Sequence, residues 1–151
     1  MEWIGVGVMH ELEFDLLKVF HFVRGLLPGL KMSEDMRAIG LMRDGRLIAG
    51  AIYEGFNRVN MWVHLAGEPG SRWLCRDFLY SNFKYAFGIC GVQRLSGYVD
   101  ASNSAARRFN EHIGFKQEAV LSGAAPDGGD VILYVMWRDD CQYLQEKSDG
   151  I

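Results

Sequence analysis

The sequence predicts a single α/β domain with a mixed, mostly antiparallel sheet flanked by helices. Three observations support this fold class. Asp44-Gly45 separates two short apolar runs, which is typical of a β-hairpin. A strand-like segment from Asn60 leads through a glycine loop into a helical segment, and a later strand leads through Asn103 into a short helix and back to a strand at Phe115.

Length and composition limit the class of protein. The chain has 151 residues, 49% of them hydrophobic and 23% charged, which suits one globular domain spanning residues 1–151. A net charge of −3 argues against a nucleic-acid partner. The three cysteines have no metal-type spacing, and no apolar run approaches the roughly 20 residues that span a bilayer. We therefore expect a cytoplasmic protein with reduced thiols, no metal and no membrane partner.

The first half of the chain predicts one helix and two strands. Met1–Met9 is compatible with a short strand or a loosely held terminus. Apolar residues at helical spacing predict a helix over Glu11–Leu27, which Pro28-Gly29 ends. The apolar runs Met36–Met42 and Leu47–Tyr53 predict the two strands of the hairpin.

The middle of the chain predicts a strand, a loop and a helix. Asn60–Ala66 is the strand, and the helix runs from Trp73 with Ser71 as its N-cap, ending at Gly88 or Gly91. The first turn of a helix carries unpaired amides and a partial positive charge, and a glycine loop lets an anion approach closely. This order predicts a phosphate-bearing ligand at Gly70–Trp73.

The second half predicts a strand over Arg94–Asp100 and a short helix that begins at a Ser-Asn-Ser cap cluster and ends at Gly114. Strands follow over Phe115–Leu121 and Val131–Trp137. We expect the polar tail to fray beyond Leu144.

These segments resemble a known family. The stretch Val99–Phe115 contains an Asn, a small-residue helix and then Gly-Phe opening a strand, and it follows a strand, a loop and a helix in that order. It resembles the GNAT family of N-acetyltransferases. The strand Asp130–Met136 is similar to the last strands of the ribosomal-protein alanine acetyltransferase branch. The run from His64 to Leu79 resembles small acetyltransferase-like proteins encoded by bacteriophages.

The resemblance implies a splayed GNAT sheet that binds acetyl-CoA between Asn60–Ala66 and Arg94–Asp100. It implies that the pantetheine pairs with the backbone near Leu65, Ala66 and Gly67. The expected cofactor-binding residues, including the pyrophosphate loop and the later helix, are Leu65, Ala66, Gly67, Gly70, Ser71, Arg72, Trp73, Asn103, Ala106 and Phe109.

The loop departs from the family pattern Arg/Gln-x-x-Gly-x-Gly/Ala. Gly70 matches it, but Gly67 takes the Arg/Gln place and Arg72 replaces the last small residue. Glu68 beside a pyrophosphate is repulsive unless it points away, and Arg72 with Arg76 would offset its charge. The family's frequent tyrosine acid falls at Asn110, which is no proton donor for this step.

Acetyl transfer to an amine needs a base, a polarised thioester carbonyl and a proton donor for the thiolate. His64 is the leading base candidate because histidine titrates near neutral pH, and Glu54 is the second. Tyr134 and Tyr98 are candidate acids. Packing or solvated surface positions are the structural alternative for each of these residues.

The resulting prediction is an acetyl-CoA-dependent N-acetyltransferase that transfers acetyl directly to a primary amine. The amine belongs to a small molecule or a protein N-terminus. The alternative is a catalytically inactive acyl-CoA-binding or virion-associated interaction protein with the same fold. The location would be the host cytoplasm if the chain is encoded by a phage, and both a monomer and a homodimer are compatible with the sequence.

Overall fold

The computed structural model describes residues 10–144, so the predicted terminus Met1–Met9 and the predicted frayed tail lie outside the described residues. The fold is α/β, as predicted, with a seven-stranded mixed sheet in the order β1-β2-β3-β4-β5-β7-β6. The strands are β1 (His10–Glu13), β2 (Arg37–Arg43), β3 (Arg46–Glu54), β4 (Asn60–Gly67), β5 (Arg94–Asp100), β6 (Lys116–Leu121) and β7 (Val131–Trp137). The α-helices are α1 (Leu16–Leu26), α2 (Arg76–Phe83) and α3 (Ser104–Ile113).

Contacts within the chain group its residues into two compact units. Of the described residues, the first unit holds His10–Glu54 together with His64–Asn82, and the second holds Gly55–Val63 together with Phe83–Leu144. The strand β4 therefore contributes its first four residues to the second unit and its last four to the first.

The predicted hairpin is present in the first unit. β2 and β3 pair antiparallel, with Arg43 opposite Arg46. Asp44 and Gly45 both have positive φ, at 53° and 81°, as a two-residue turn of this kind requires.

The first predicted helix began five residues too early. The structure places β1 at His10–Glu13, antiparallel to β2, and starts α1 at Leu16. Leu12 fits the helical spacing, but tertiary pairing with β2 holds its backbone extended. Asp15 ends the strand segment and caps the helix, because its side chain accepts from the amide of Lys18 at 3.2 Å.

The core of the first unit lies between α1 and the hairpin. The buried side chains come from α1, the following segment and the strands: Val19, Phe20, Val23, Leu30, Met36, Ala38, Ile52 and Ala66. Two glycines allow the helix to approach this closely, since a Cβ at Gly40 or Gly50 would lie 2.8 or 2.7 Å from Val19.

The second helix begins later than predicted, at Arg76 and not at Trp73, and continues from Lys84 to Ile89 as a π-helix. Ser71 is therefore not its N-cap. Gly91, with φ of 73°, follows the π-helix and is one of the two glycines that were predicted to end the helical segment. Within the first unit, the Tyr53 hydroxyl donates to Asn82 Oδ1 at 2.6 Å and ties α2 to β3.

In the second unit, β5 pairs antiparallel with β7, and β7 with β6. β4 begins parallel to β5, with Asn60 beside Arg94 and Trp62 beside Ser96. α3 begins at its predicted Asn103 cap and ends at Gly114, whose φ is 115°. Among residues 10–144, no helix is long and apolar enough to cross a membrane.

Candidate active site

The first unit brings two predicted catalytic residues together. His64 lies on β4 and is 7% exposed, and Glu54 is the last residue of β3. The distance from His64 Nε2 to Glu54 Oε2 is 2.5 Å. The sequence placed them ten residues apart on neighbouring strands, and the strand pairing makes them partners.

This contact gives the histidine a defined orientation. With the proton of a neutral ring on Nε2, donated to Glu54, the lone pair is on Nδ1. The carboxylate also stabilises the positive ring that forms when Nδ1 takes a proton. The pair thus has the chemistry of an oriented general base.

A residue that the sequence analysis missed completes this arrangement. The Ser33 hydroxyl lies 2.9 Å from Glu54 Oε1 and 3.1 Å from Asp35 Oδ1. One hydroxyl proton can be donated to only one of these carboxylates at a time. Ser33 lies in the segment between α1 and β2, where no periodic pattern marked it.

The loop after β4 is a turn and not a helix N-terminus. Both the amide and the hydroxyl of Ser71 donate to the carbonyl of Glu68, at 3.2 and 2.7 Å. Gly70 and Arg72 have positive φ, at 79° and 58°, and Ser71 between them does not. A Cβ placed on Gly70 would meet nothing within 4 Å, so the backbone is open there.

Trp73 accounts for the departure of Gly67 from the family pattern. A Cβ on Gly67 would lie 2.0–2.1 Å from atoms of the Trp73 indole, far inside contact distance. Trp73 is itself buried and packs edge-on against Phe78 of α2. An Arg or Gln at position 67 is incompatible with this packing.

The negative charge of Glu68 is paired. Arg46 Nη1 lies 2.6 Å from Glu68 Oε2, and this hydrogen bond lowers the pKa of the carboxyl. Arg43 on the same hairpin lowers the pKa further through its charge. Repulsion between Glu68 and a bound anion is reduced accordingly.

The second unit holds the predicted residues of α3 and β7, whereas Leu65 and Ala66 lie on β4 in the first unit. Asn103 Oδ1 accepts from the amide of Ala106 at 3.1 Å, so Asn103 is the cap of α3. Ala106 is buried, and Phe109 is half-buried. Asn110 donates to the Ala106 carbonyl at 2.8 Å within the helix.

Tyr134 is buried on β7, and its hydroxyl donates to Glu111 Oε2 at 2.7 Å. Burial is the largest cause that raises the pKa of Tyr134, and the hydrogen bond to Glu111 also raises it. The phenol therefore keeps its proton at neutral pH and releases it less readily than an ordinary tyrosine does.

Within residues 10–144, no cluster of three or more His, Cys, Asp or Glu side chains is placed to hold a metal ion. The charged groups around His64 and Glu68 instead form the pairs described above.

The fold of this chain is similar to that of several solved structures. A mutant of the spermidine N-acetyltransferase SpeG from Vibrio cholerae matches with a TM-score of 0.74 at 15% identity, over 91% of this chain and 99% of that chain. The mutant forms of the spermidine/spermine N-acetyltransferase SpeG from the same organism match at 0.72 and 14%, over 91% and 99%. The chain has the GNAT fold. A GNAT-family acetyltransferase from Bacillus anthracis matches over 68% of this chain and 66% of that chain, with a TM-score of 0.58 and 15% identity.

The GNAT fold confirms the predicted fold class. No family model matches the sequence, and no curated protein matches it significantly. The resemblances to the ribosomal-protein alanine acetyltransferase branch and to bacteriophage proteins remain predictions, because these comparisons do not bear them out.

Proposed function

We propose that this chain is an acetyl-CoA-dependent N-acetyltransferase that moves acetyl directly to a primary amine. The observation that carries the proposal is the buried His64 on β4 with its Nε2 against Glu54. A buried histidine oriented by a carboxylate suits removal of a proton from an amine near neutral pH.

The loop after β4 has features compatible with the diphosphate of acetyl-CoA. The backbone at Gly70 is open, and Glu68 is paired with Arg46. Leu65, Ala66 and Gly67 offer strand backbone for the pantetheine arm, as the family resemblance implies. Acetyl-CoA would supply the activated acetyl group.

The chemistry of the chain's own residues follows from these positions. His64 accepts the proton that the amine must lose, and Glu54 stabilises the resulting imidazolium. The amine nitrogen then forms a bond to the carbonyl carbon as the carbon–sulfur bond breaks. The thiolate that leaves takes up a proton, and the role of Tyr134 as its donor stays a prediction from the sequence.

The acceptor is a primary amine. The SpeG structures belong to polyamine acetyltransferases by name, so spermidine and spermine are suitable first acceptors for a test. A lysine side chain and a peptide α-amine complete the panel, because the α-amine, with a pKa of about 7.7–8.0, loses its proton more easily than lysine at about 10.4.

The test combines binding with turnover. Calorimetry with acetyl-CoA should show binding, and the amine panel should show transfer. His64→Ala should lower kcat/KM by on the order of 10²–10⁴ and remove the acidic limb of the pH–rate profile. His112→Ala, at an exposed position of α3, is the matched control and should leave both unchanged.

Absence of acetyl-CoA binding at high micromolar concentration would overturn the enzyme proposal. Binding without transfer to any amine would favour the inactive acyl-CoA-binding alternative. An unaltered pH profile in His64→Ala would remove His64 from the mechanism.

A further inference from the structure

A serine in the segment between α1 and β2 contacts the carboxylate that faces His64. The Ser33 hydroxyl lies 2.9 Å from Glu54 Oε1, and His64 Nε2 lies 2.5 Å from Glu54 Oε2. The two oxygens of one carboxylate therefore have different partners. All three residues belong to the first unit.

The two contacts together fix the plane of the Glu54 carboxylate. The last torsion of a glutamate side chain is broad, so a carboxylate held through one oxygen can turn while it keeps that contact. A second hydrogen bond on the other oxygen removes this freedom. The Glu54 side chain is 26% exposed at the end of β3, so water takes the place of the Ser33 hydroxyl when that hydroxyl is removed.

The backbone around Ser33 is anchored independently of its hydroxyl. Leu30 precedes it and Met36 follows it, and both side chains are buried in the core of the first unit. Burial of these two apolar side chains holds the segment in place. Removal of one half-buried hydroxyl should therefore leave the fold intact.

The serine has one proton and two acidic neighbours. Its hydroxyl also lies 3.1 Å from Oδ1 of the exposed Asp35, and it can donate to only one carboxylate at a time. A hydrogen bond to an ionised acceptor is roughly twice as strong as a neutral one. Asp35→Asn therefore weakens the competing acceptor and leaves donation to Glu54 in place.

We propose that Ser33 is a positioning residue for the general base and that it acts through Glu54. Its hydroxyl donates to Glu54 Oε1, and this keeps Oε2 on His64 Nε2 and the imidazole ring in one orientation. A fixed ring matters because a small misplacement of a catalytic group lowers the rate strongly. This inference rests on the proposed function, in which His64 is the base.

The kinetic test follows kcat and the KM for acetyl-CoA with the best amine of the panel. Ser33→Ala should lower kcat by on the order of tenfold, the effect of losing one hydrogen bond to a charged group, and leave this KM unchanged. Ser33→Thr keeps the hydroxyl and should restore most of kcat. In a His64→Ala background, Ser33→Ala should cause no further loss, because the serine acts through the histidine. Ser122→Ala, at an exposed position, is the matched control and should keep the wild-type kcat.

Proton NMR tests the geometry without any substrate. A proton in a short hydrogen bond between imidazole and carboxylate resonates far downfield, and the proton on His64 Nε2 should do so in the wild type. Its absence in His64→Ala assigns the resonance. The resonance should be lost in Ser33→Ala and remain in Ser33→Thr, Asp35→Asn and Ser122→Ala. Ser33→Cys has only a weak donor, should resemble Ser33→Ala, and carries the comparison if Ser33→Ala does not fold.

A wild-type kcat and an unmoved His64 resonance in Ser33→Ala would overturn the positioning role while the acetyltransferase proposal survives. Equal losses from Ser33→Ala with and without His64 would overturn it as well, because the serine would then act elsewhere. Loss of the resonance in Ser33→Ala of a protein that acetylates no amine would reject the acetyltransferase and retain Ser33 as the residue that orients the Glu54–His64 pair.

Discussion

At the scale of single residues, Gly67 is the described glycine at which an added Cβ would come nearest to another atom. Its missing Cβ leaves room for the Trp73 indole, which would otherwise stand 2.0–2.1 Å from it. The close contact places Trp73 over the end of β4. The loop conformation therefore depends on the absence of a side chain at Gly67.

Gly67→Ala should displace Trp73 and destabilise the protein by about 1–3 kcal/mol, the usual cost of overpacking. Gly25→Ala is the control, because its Cβ would meet nothing within 4 Å on α1 and should raise stability by about 0.5–1 kcal/mol. Urea unfolding followed by tryptophan fluorescence measures both. An unchanged midpoint in Gly67→Ala would show that the loop adjusts without cost.

At the scale of elements, Tyr134 links β7 to α3 through Glu111. Burial and the Glu111 hydrogen bond raise the pKa of this phenol in the folded protein. The folded state therefore holds the proton more tightly than the unfolded chain, whose tyrosine titrates near 10. The contribution of protonated Tyr134 to the free energy of unfolding is fully present below a pH of about 10. It is lost as the pH rises through the pKa that Tyr134 has in the folded state.

Melting temperature measured against pH should fall above pH of about 10 in the wild type and fall less steeply in Tyr134→Phe. Glu111→Gln should keep most of the slope, because burial is the larger cause of the raised pKa. Identical alkaline slopes in the wild type and Tyr134→Phe would contradict this assignment.

The remaining elements show which parts of the secondary structure local sequence patterns predict and which they do not. The strands β5 and β7 match their predicted bounds because strong β-formers and turn residues mark both ends. β1 was missed, since four residues with only Leu12 as an apolar signal become a strand by pairing with β2. The π-helix at Lys84–Ile89 was also missed, because a change of helical period has no residue signature in this stretch.

At the scale of the whole molecule, the prediction of one domain over residues 1–151 can be tested by cooperativity. β4 contributes to both compact units, and one continuous strand shared by two units favours unfolding in a single step. Trp73 reports on the first unit, and Trp62 and Trp137 report on the second.

Variants that keep Trp73 alone, or Trp137 alone, with the other tryptophans changed to Phe, should give coincident urea transitions. The circular dichroism transition should fall at the same concentration. Two separated transitions would contradict the single domain and identify two independently folding units.

The sequence by itself determined the α/β class, the Asp44-Gly45 hairpin, the Asn103-capped helix and the candidate base His64. Each depends on local chemistry: turn residues that accept positive φ, a side chain that caps amides, and apolar spacing. Only the tertiary structure decided that His64 meets Glu54, that Trp73 covers Gly67, and that Ser33 contacts Glu54. These contacts join residues 6 to 21 positions apart, and their geometry depends on strand pairing and packing, which no local pattern records.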